Sequence, residues 1–304
     1  MPIAAAHPND RSTAPNVEVK VARPNTVVYA QRRYRLAPAE RTASASPGRT
    51  LEDAVRGLLP DATRALALAV STFAGPAAKA TLVVNVDVGA FGRGGSSVPL
   101  EFALSAVDAT GREIAFARDA ATVMIGPASG DNPPEANVQT RLELPAGEYE
   151  VRLAVSDPKT STVASVFAPV TVPAFDVDPL SLSGVIVEAT GPRAAASPSP
   201  PGPPAPTTRR MFDRLEQVHA IVQVYQGTRR TDALQRVSAR TRIEDAHHRV
   251  VRDQRLELTA DNFQKRTASV SLDMSGLPPG GYVLAIEASM DRRQSQRSLP
   301  FAVR

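Results

Sequence analysis

Cysteine and tryptophan are both absent from the 304-residue chain, and aromatic residues make up only 5% of it. Without thiols there is no disulfide, no thiolate metal site and no cysteine nucleophile, and the redox compartment stays open, since a cysteine-free chain fits cytosol and periplasm alike. The cores must be aliphatic, built mainly from Val, Leu and Ala, which suits packed sheets. No stretch approaches the roughly 18 uninterrupted apolar residues of a membrane-spanning helix. Charge of one sign is also missing: Lys+Arg 35 against Asp+Glu 31 leaves +4. The pairs Arg32 and Arg33, Arg209 and Arg210, Arg229 and Arg230, and Arg292 and Arg293 lie scattered, none inside a basic run. They are expected on solvated faces, and nucleic acid is not an expected partner. The opening MPIAAAHPNDRSTAP lacks the apolar core of a secretory signal, which implies a chain that stays inside or has lost its start.

What is present is period-two alternation. Residues 1–16 read as a disordered tail. Val17, Val19 and Val21 alternate with charged residues, Pro24-Asn25 reads as a turn, and Val27 to Tyr29 resumes the extended pattern. Thr50 with Asp53 three residues on reads as a capping box before Leu51, Val55 and Leu58 at helical spacing, closed by Pro60. Residues 17–60 are therefore a hairpin and a short helix. Strands are then expected at 82–88, 100–105, 113–116, 138–144, 149–155 and 163–172, with Ser181 to Ala189 closing the set. The Pro-rich 191–210 should be a semi-stiff linker, because proline removes backbone donors and fixes φ. Beyond it, strands are expected at 218–224, 238–244, 250–258, 268–274, 282–288 and 298–303. The expected fold is all-β: two tandem immunoglobulin/fibronectin-III-like β-sandwich domains, 61–190 and 211–304, with a short helix before the first.

Leu144-Pro145-Ala146-Gly147-Glu148-Tyr149 and Leu277-Pro278-Pro279-Gly280-Gly281-Tyr282 form an internal repeat. Pro145 and Pro278 end a ladder, Gly147 and Gly280 supply the turn with positive φ, and Tyr149 and Tyr282 open the next strand with a hydroxyl that can reach a backbone acceptor. They are expected to be structural turns of the corner-tyrosine kind. Upstream, the eight residues from Val107 align with the eight from Ile243, each an acidic turn followed by a basic residue.

The segment VEVKVARPNTVVYAQRRYRLAP from Val17 resembles the region just after the von Willebrand factor type A domain in a bacterial family of VWFA-related proteins common in acidobacteria. Arg32-Arg33-Tyr34 stands where that family has an Arg-Arg-Gly-Tyr-type signature, with the Gly missing. LPAGEYEVRLAV from Leu144, VTVPAF at Val170, LSLSGVIV at Leu180 and LPPGGYVLAIEA at Leu277 follow in the family's order. The resemblance implies the C-terminal region of such a protein without the A domain itself. It also implies a periplasmic or extracellular accessory role. The A domain's Asp-x-Ser-x-Ser metal-adhesion motif does not occur in the chain.

Catalytic chemistry has few carriers. Of the four histidines, His7 lies in the tail, His219 on the polar side of a strand, and His247 with His248 in a turn. There is no Gly-x-Ser-x-Gly elbow, His-Glu-x-x-His helix, P-loop or dinucleotide fingerprint. The Gly-rich 89–95 precedes a strand and reads as a flexible hairpin loop. Asp176 and Asp178 could hold calcium only with further ligands. The expectation is a non-catalytic protein-interaction or structural module with no cofactor, no metal and an unidentified protein partner. The alternative is a carbohydrate-binding module, in which an exposed tyrosine such as Tyr225 would stack on the sugar.

Overall fold

A computed structural model describes residues 50–128, 134–190 and 206–304. The tail, the expected hairpin at 17–29, His7, the Arg32-Arg33-Tyr34 signature and the Pro-rich 191–205 lie outside the described residues. The described chain is nearly all β. One helix, α1 (Leu51–Arg56), opens it, with Thr50 accepting from Asp53 N at 3.1 Å while the Asp53 carboxylate accepts from Thr50 N at 3.2 Å. That capping box is the expected one, but the helix stops before Gly57, and Leu58 is exposed rather than on a continuing apolar face. Leu51, Ala54 and Val55 seat on Ala103 and Ala154, whose small side chains leave room for a helix against the sheet. Arg152 donates to Val55 O (3.1 Å) and Gly57 O (3.2 Å), satisfying carbonyls that the helix end leaves open.

Seven strands make the first sandwich: β1 (Ala67–Ala74), β2 (Ala80–Asp87), β3 (Ser97–Asp108), β4 (Glu113–Met124), β5 (Asn137–Leu144), β6 (Gly147–Asp157) and β7 (Thr162–Val172). They divide into a sheet β1-β2-β5 and a sheet β4-β3-β6-β7, with antiparallel pairing throughout. Leu82, Val84 and Val86 of β2 meet Leu100, Phe102 and Leu104 of β3 and Val151, Leu153 and Val155 of β6 in one core. Alternation places these residues on the inner faces of their strands.

The second sandwich repeats the plan. Its strands are β8 (Ser181–Leu182), β9 (Ile186–Thr190), β10 (Met211–Phe212), β11 (Gln217–Tyr225), β12 (Val237–Asp245), β13 (Val250–Leu258), β14 (Thr267–Asp273), β15 (Gly280–Met290) and β16 (Arg293–Val303). β14 pairs with β11, β8 and β9 share the other edge of β11, and the facing sheet runs β10-β16-β15-β12-β13. The correspondence is strand for strand, β2 with β11, β3 with β12, β4 with β13, β5 with β14, β6 with β15 and β7 with β16, while β8 and β9 together stand where β1 stands. The short β10 is an addition, parallel to β16.

This pairing corrects the expected boundary. Residues 181–190 do not close the first sandwich: they are the edge strand of the second, and Leu180, Leu182 and Val187 belong to its core. The crossover between sandwiches therefore falls at residues 173–180. In sequence, the Pro-rich stretch falls between the edge strand of the second sandwich and β11. Its described end is anchored rather than extended: Pro206 bridges Glu188, Thr207 N donates to Val187 O at 2.8 Å, and Thr207 and Thr208 are buried. A proline-dominated composition reads as a linker wherever it stands, whereas the strand before it is claimed by non-local pairing. β1 also escaped the sequence reading, because ALAVSTFA does not alternate and is half-buried along much of its length.

Candidate functional site

The Leu-Pro-x-Gly-x-Tyr repeat forms two equivalent corners. Tyr149 Oη donates to Pro145 O at 3.1 Å, and Tyr282 Oη donates to Pro278 O at 2.7 Å. Gly147 and Gly280 have φ of 157° and 159°, close to extended. Glycine there supplies space for the ring more than a tight left-handed turn: a Cβ at Gly147 would lie 3.1 Å from Tyr149 Oη. The corners differ in depth, since Tyr282 is buried and stacks on Phe301 with centroids 5.5 Å apart, while Tyr149 is half-buried. Burial, with the Asp108 charge second, raises the Tyr149 pKa.

Each corner tyrosine pairs in register with an aspartate that organises the neighbouring turn, Tyr149 with Asp108 and Tyr282 with Asp245. Asp108 Oδ1 accepts from Thr110 N (2.9 Å) and Arg112 N (3.0 Å), and Asp245 Oδ1 accepts from His247 N (2.8 Å) and Arg249 N (3.0 Å). The structural repeat thus aligns Asp108 with Asp245 and Arg112 with Arg249, one residue off the alignment read from sequence. Gly111 and His248 become equivalent, both left-handed at φ 84° and 61°. His247 and His248 are exposed turn residues.

The densest polar constellation lies where the two sandwiches meet. Between β8 and β9, Ser183 stays bound to Gln223 of β11, and the chain then turns to β1 at Gly184-Val185. There Gly184 N donates to Thr72 O (2.8 Å) and Ser71 Oγ donates to Val185 O (3.1 Å). A Cβ at Gly184 would lie 2.5 Å from Ser71 Cα, so only glycine permits this approach. Arg297 holds the same segment from behind, donating to Ser183 O (3.0 Å) and Leu182 O (2.7 Å), and burial lowers its pKa.

Tyr225, at the end of β11, is 2% exposed and packs in the core of the first sandwich, its ring 4.8 Å from Phe175. Its hydroxyl accepts from Ala74 N at 3.2 Å and donates to Gln223 Oε1. Burial pushes its pKa up to about 12. A buried ring cannot stack on a sugar, so Tyr225 is excluded as the platform of the carbohydrate reading.

A second contact closes the other end of the junction. Arg209 makes a bidentate pair with Glu216 (2.8 and 3.1 Å) and lies 3.6 Å from Glu135 of the first sandwich, and Thr208 Oγ1 donates to Asn137 Oδ1 at 3.2 Å. The Glu216 side chain is 1% exposed and Arg209 14%, with the guanidinium 5.4 Å over the Phe212 ring. The Arg209–Arg210 pair expected on a solvated face is therefore built into the junction, and burial lowers the Arg210 pKa. Of the other described pairs, Arg230 is bound to Asp232, and Arg292 and Arg293 are exposed.

The remaining candidates are structural. Asp178 Oδ2 accepts from Ala174 N at 3.2 Å, and Asp176 offers its carbonyl to Arg229 N at 3.1 Å, both in the crossover between the sandwiches. Among the described residues no group of three or more His, Cys, Asp or Glu side chains is placed to hold a metal ion. The Gly-rich 89–95 is packed at its start, where Phe91 is buried and a Cβ at Gly89 would overlap Pro134 O at 2.0 Å, and exposed at residues 93–95. The concavity between β12, β13 and β14 offers only about 20 Å³. No described helix is long and apolar enough to cross a membrane.

No family model matches the chain, and no curated protein matches it. Among solved structures it is similar to red sea bream transglutaminase at 13% identity, covering 80% of this chain and 32% of that one, with a TM-score of 0.25. It is also similar to dimeric latent PorU from Porphyromonas gingivalis at 11% identity, covering 86% and 22%, with a TM-score of 0.32. A glycosyl hydrolase family 2 member from Bacteroides cellulosilyticus matches at 11% identity, covering 73% and 26%, with a TM-score of 0.28. The chain spans about a third or less of these proteins' lengths. At such low overlap none of their activities passes to it.

Proposed function

We propose that this chain is a non-catalytic structural or protein-interaction module, the region downstream of the A domain in a VWFA-related protein, working in the periplasm or at the cell surface. One observation supports this most: its polar side chains at the junction serve to hold two sandwiches together. Tyr225, Arg209, Glu216 and Arg297 each have their partners within the fold. Such a unit holds binding edges at a fixed spacing, which suits an accessory region that carries or orients another domain. The order of the motifs at Val17, Leu144, Val170, Leu180 and Leu277 supports the family reading.

The test has two arms. Tagging the gene at its native locus and fractionating cells should place the protein outside the cytoplasm, and a wholly cytoplasmic pool would contradict the location. Purified chain should show no turnover across hydrolase substrate panels. Reproducible turnover that is lost in His219→Ala or His248→Ala would overturn the non-catalytic reading.

A further inference from the structure

Among the edge strands, β13 is solvated on both faces: of its nine residues only Leu258 is buried and only Arg252 half-buried. Val250, Val251 and Leu256 are left 48%, 45% and 39% exposed. The strand is nonetheless held in place. Arg240 makes a bidentate pair with Asp253 (2.6 and 3.0 Å), and Arg252 reaches across the sandwich opening to Ser275 O (3.0 Å) and Asp273 O. An ordered edge with free backbone groups is a template for another strand.

We propose that β13 pairs antiparallel with β13 of a second copy, about a two-fold axis at Gln254, joining two five-stranded sheets into one. Two constraints select this partner and register. In an antiparallel pair, residues directly opposite share a face. A two-fold axis perpendicular to the sheet preserves faces, so a residue can oppose only itself or one an even number of positions away. Within β13, VVRDQRLEL, centring on Gln254 sets Arg255 of each copy against Asp253 of the other, which Arg240 also holds, and Arg252 against Leu256, all in the regular part of the strand beyond the bulge at Val251. Shifting the axis one residue either way opposes Asp253 to itself or Arg255 to itself, which like charges disfavour.

The equivalent edge, β4, lacks this property. Its only base, Arg118, is already bound to Glu52 (2.7 Å) and Glu101 (2.9 Å). Asp119 lies one residue from Arg118 and so on the opposite face, and Glu113, beyond the bulge at Ile114, is already held by Ser105 and Arg56. The edge strand β5 also carries an unlike pair two residues apart, Arg141 and Glu143, but its Leu142 and Leu144 are buried in its own sandwich. β13 combines such a pair with exposed Val250, Val251 and Leu256, and that combination points to β13, and to a second copy of this chain as the occupant.

Sedimentation equilibrium of the full chain from about 1 to 500 μM should show a shift from the 32.2 kDa monomer to twice that mass, in the micromolar range expected of a small interface. Arg255→Asp should weaken association about tenfold or more, with an unchanged melting temperature as the folding control. The swap D253R/R255D should restore it, because residue 255 lies opposite Arg240 and an aspartate there can take over that pair. In a chain without native cysteine, Gln254→Cys should give a disulfide-linked dimer under mild oxidation and Arg255→Cys should not. A monomer at every concentration, or a dimer indifferent to both R255D and the swap, would overturn the proposal.

Discussion

The two sandwiches are the same fold closed in two ways. The first joins β1 to β2 through residues 75–79, a tight antiparallel return. The second splits the equivalent edge strand into β8 and β9, sends the interval between them to β1, and places the Pro-rich stretch and β10 before β11. The first sandwich is thus self-contained in sequence. The second uses its broken edge strand and the anchored end of the Pro-rich stretch to grip the first. Duplication explains the shared corners, and the junction lies in the features that the duplicates do not share.

The largest expected effect is at the β11 residue that is buried in the core of the first sandwich. Tyr225→Ala should cost about 3–5 kcal/mol of stability, by analogy with other buried aromatic truncations. Tyr225→Phe should cost about 1–3 kcal/mol, because Ala74 N loses its acceptor. Chemical denaturation measures both. If neither change alters stability, Tyr225 does not tie β11 to the first sandwich. Its raised pKa carries a sign: a tyrosine that ionises less readily when folded contributes stability below the ordinary tyrosine pKa of about 10. That contribution is lost as pH rises toward about 12. Alkaline unfolding should therefore come at higher pH in Tyr225→Phe, relative to its own neutral-pH stability.

Next is the opposite end of the junction. Glu216→Ala removes the bidentate partner of Arg209, leaving Glu135 at 3.6 Å, and should destabilise by up to about 3–5 kcal/mol, the range for one-sided removal of a buried pair. The double change with Arg209→Met should recover part of that loss. A single variant as stable as the parent would mean that the pair is not confining the second sandwich.

The corner tyrosines sharpen the comparison at smaller scale. Tyr282→Phe should cost about 1–1.5 kcal/mol and Tyr149→Phe about 0.5 kcal/mol, because the first hydroxyl is buried with the shorter bond and the second is half-buried. Equal losses would remove the distinction in depth. Smallest are the aspartate turns. Thr110 and Arg112 N hold Asp108, and Arg249 and His247 N hold Asp245, below the ordinary carboxylate range. With folded pKa values depressed, the stability they contribute is present above about pH 4 and lost as pH falls through the folded values. Asp108→Asn and Asp245→Asn should each flatten the acid limb of the denaturation midpoint measured against pH.

The all-β class, the Thr50 capping box and the doubled corner were legible in the sequence, because alternation, cap chemistry and the Pro-Gly-Tyr spacing are local signals. Three things were not. The strand at 181–190 reads as a strand, but its partner is decided by pairing with β11, which no local pattern shows. The one-residue misalignment of the aspartate turns arises because Glu244 and Asp245 are adjacent acids, and only the turn hydrogen bonds accepted by Asp245 decide which of them matches Asp108. Arg209 and Tyr225 resemble a surface base and an exposed ring because solvation is a property of the assembled junction. Gly184 was the available clue, standing between Ser183 and Val185 within the expected strand, where glycine marks close backbone approach.

The central claim is that the Pro-rich stretch is internal to a fused pair of sandwiches. It is tested by placing a specific protease site between Ala195 and Ser197, cutting the folded chain, and running it by size exclusion. The pairing of β9 with β11, the Gly184 contact with β1 and the Tyr225 insertion predict that the two fragments co-elute at the uncut volume and separate only in denaturant. Two independently folded fragments eluting apart under native conditions would contradict it.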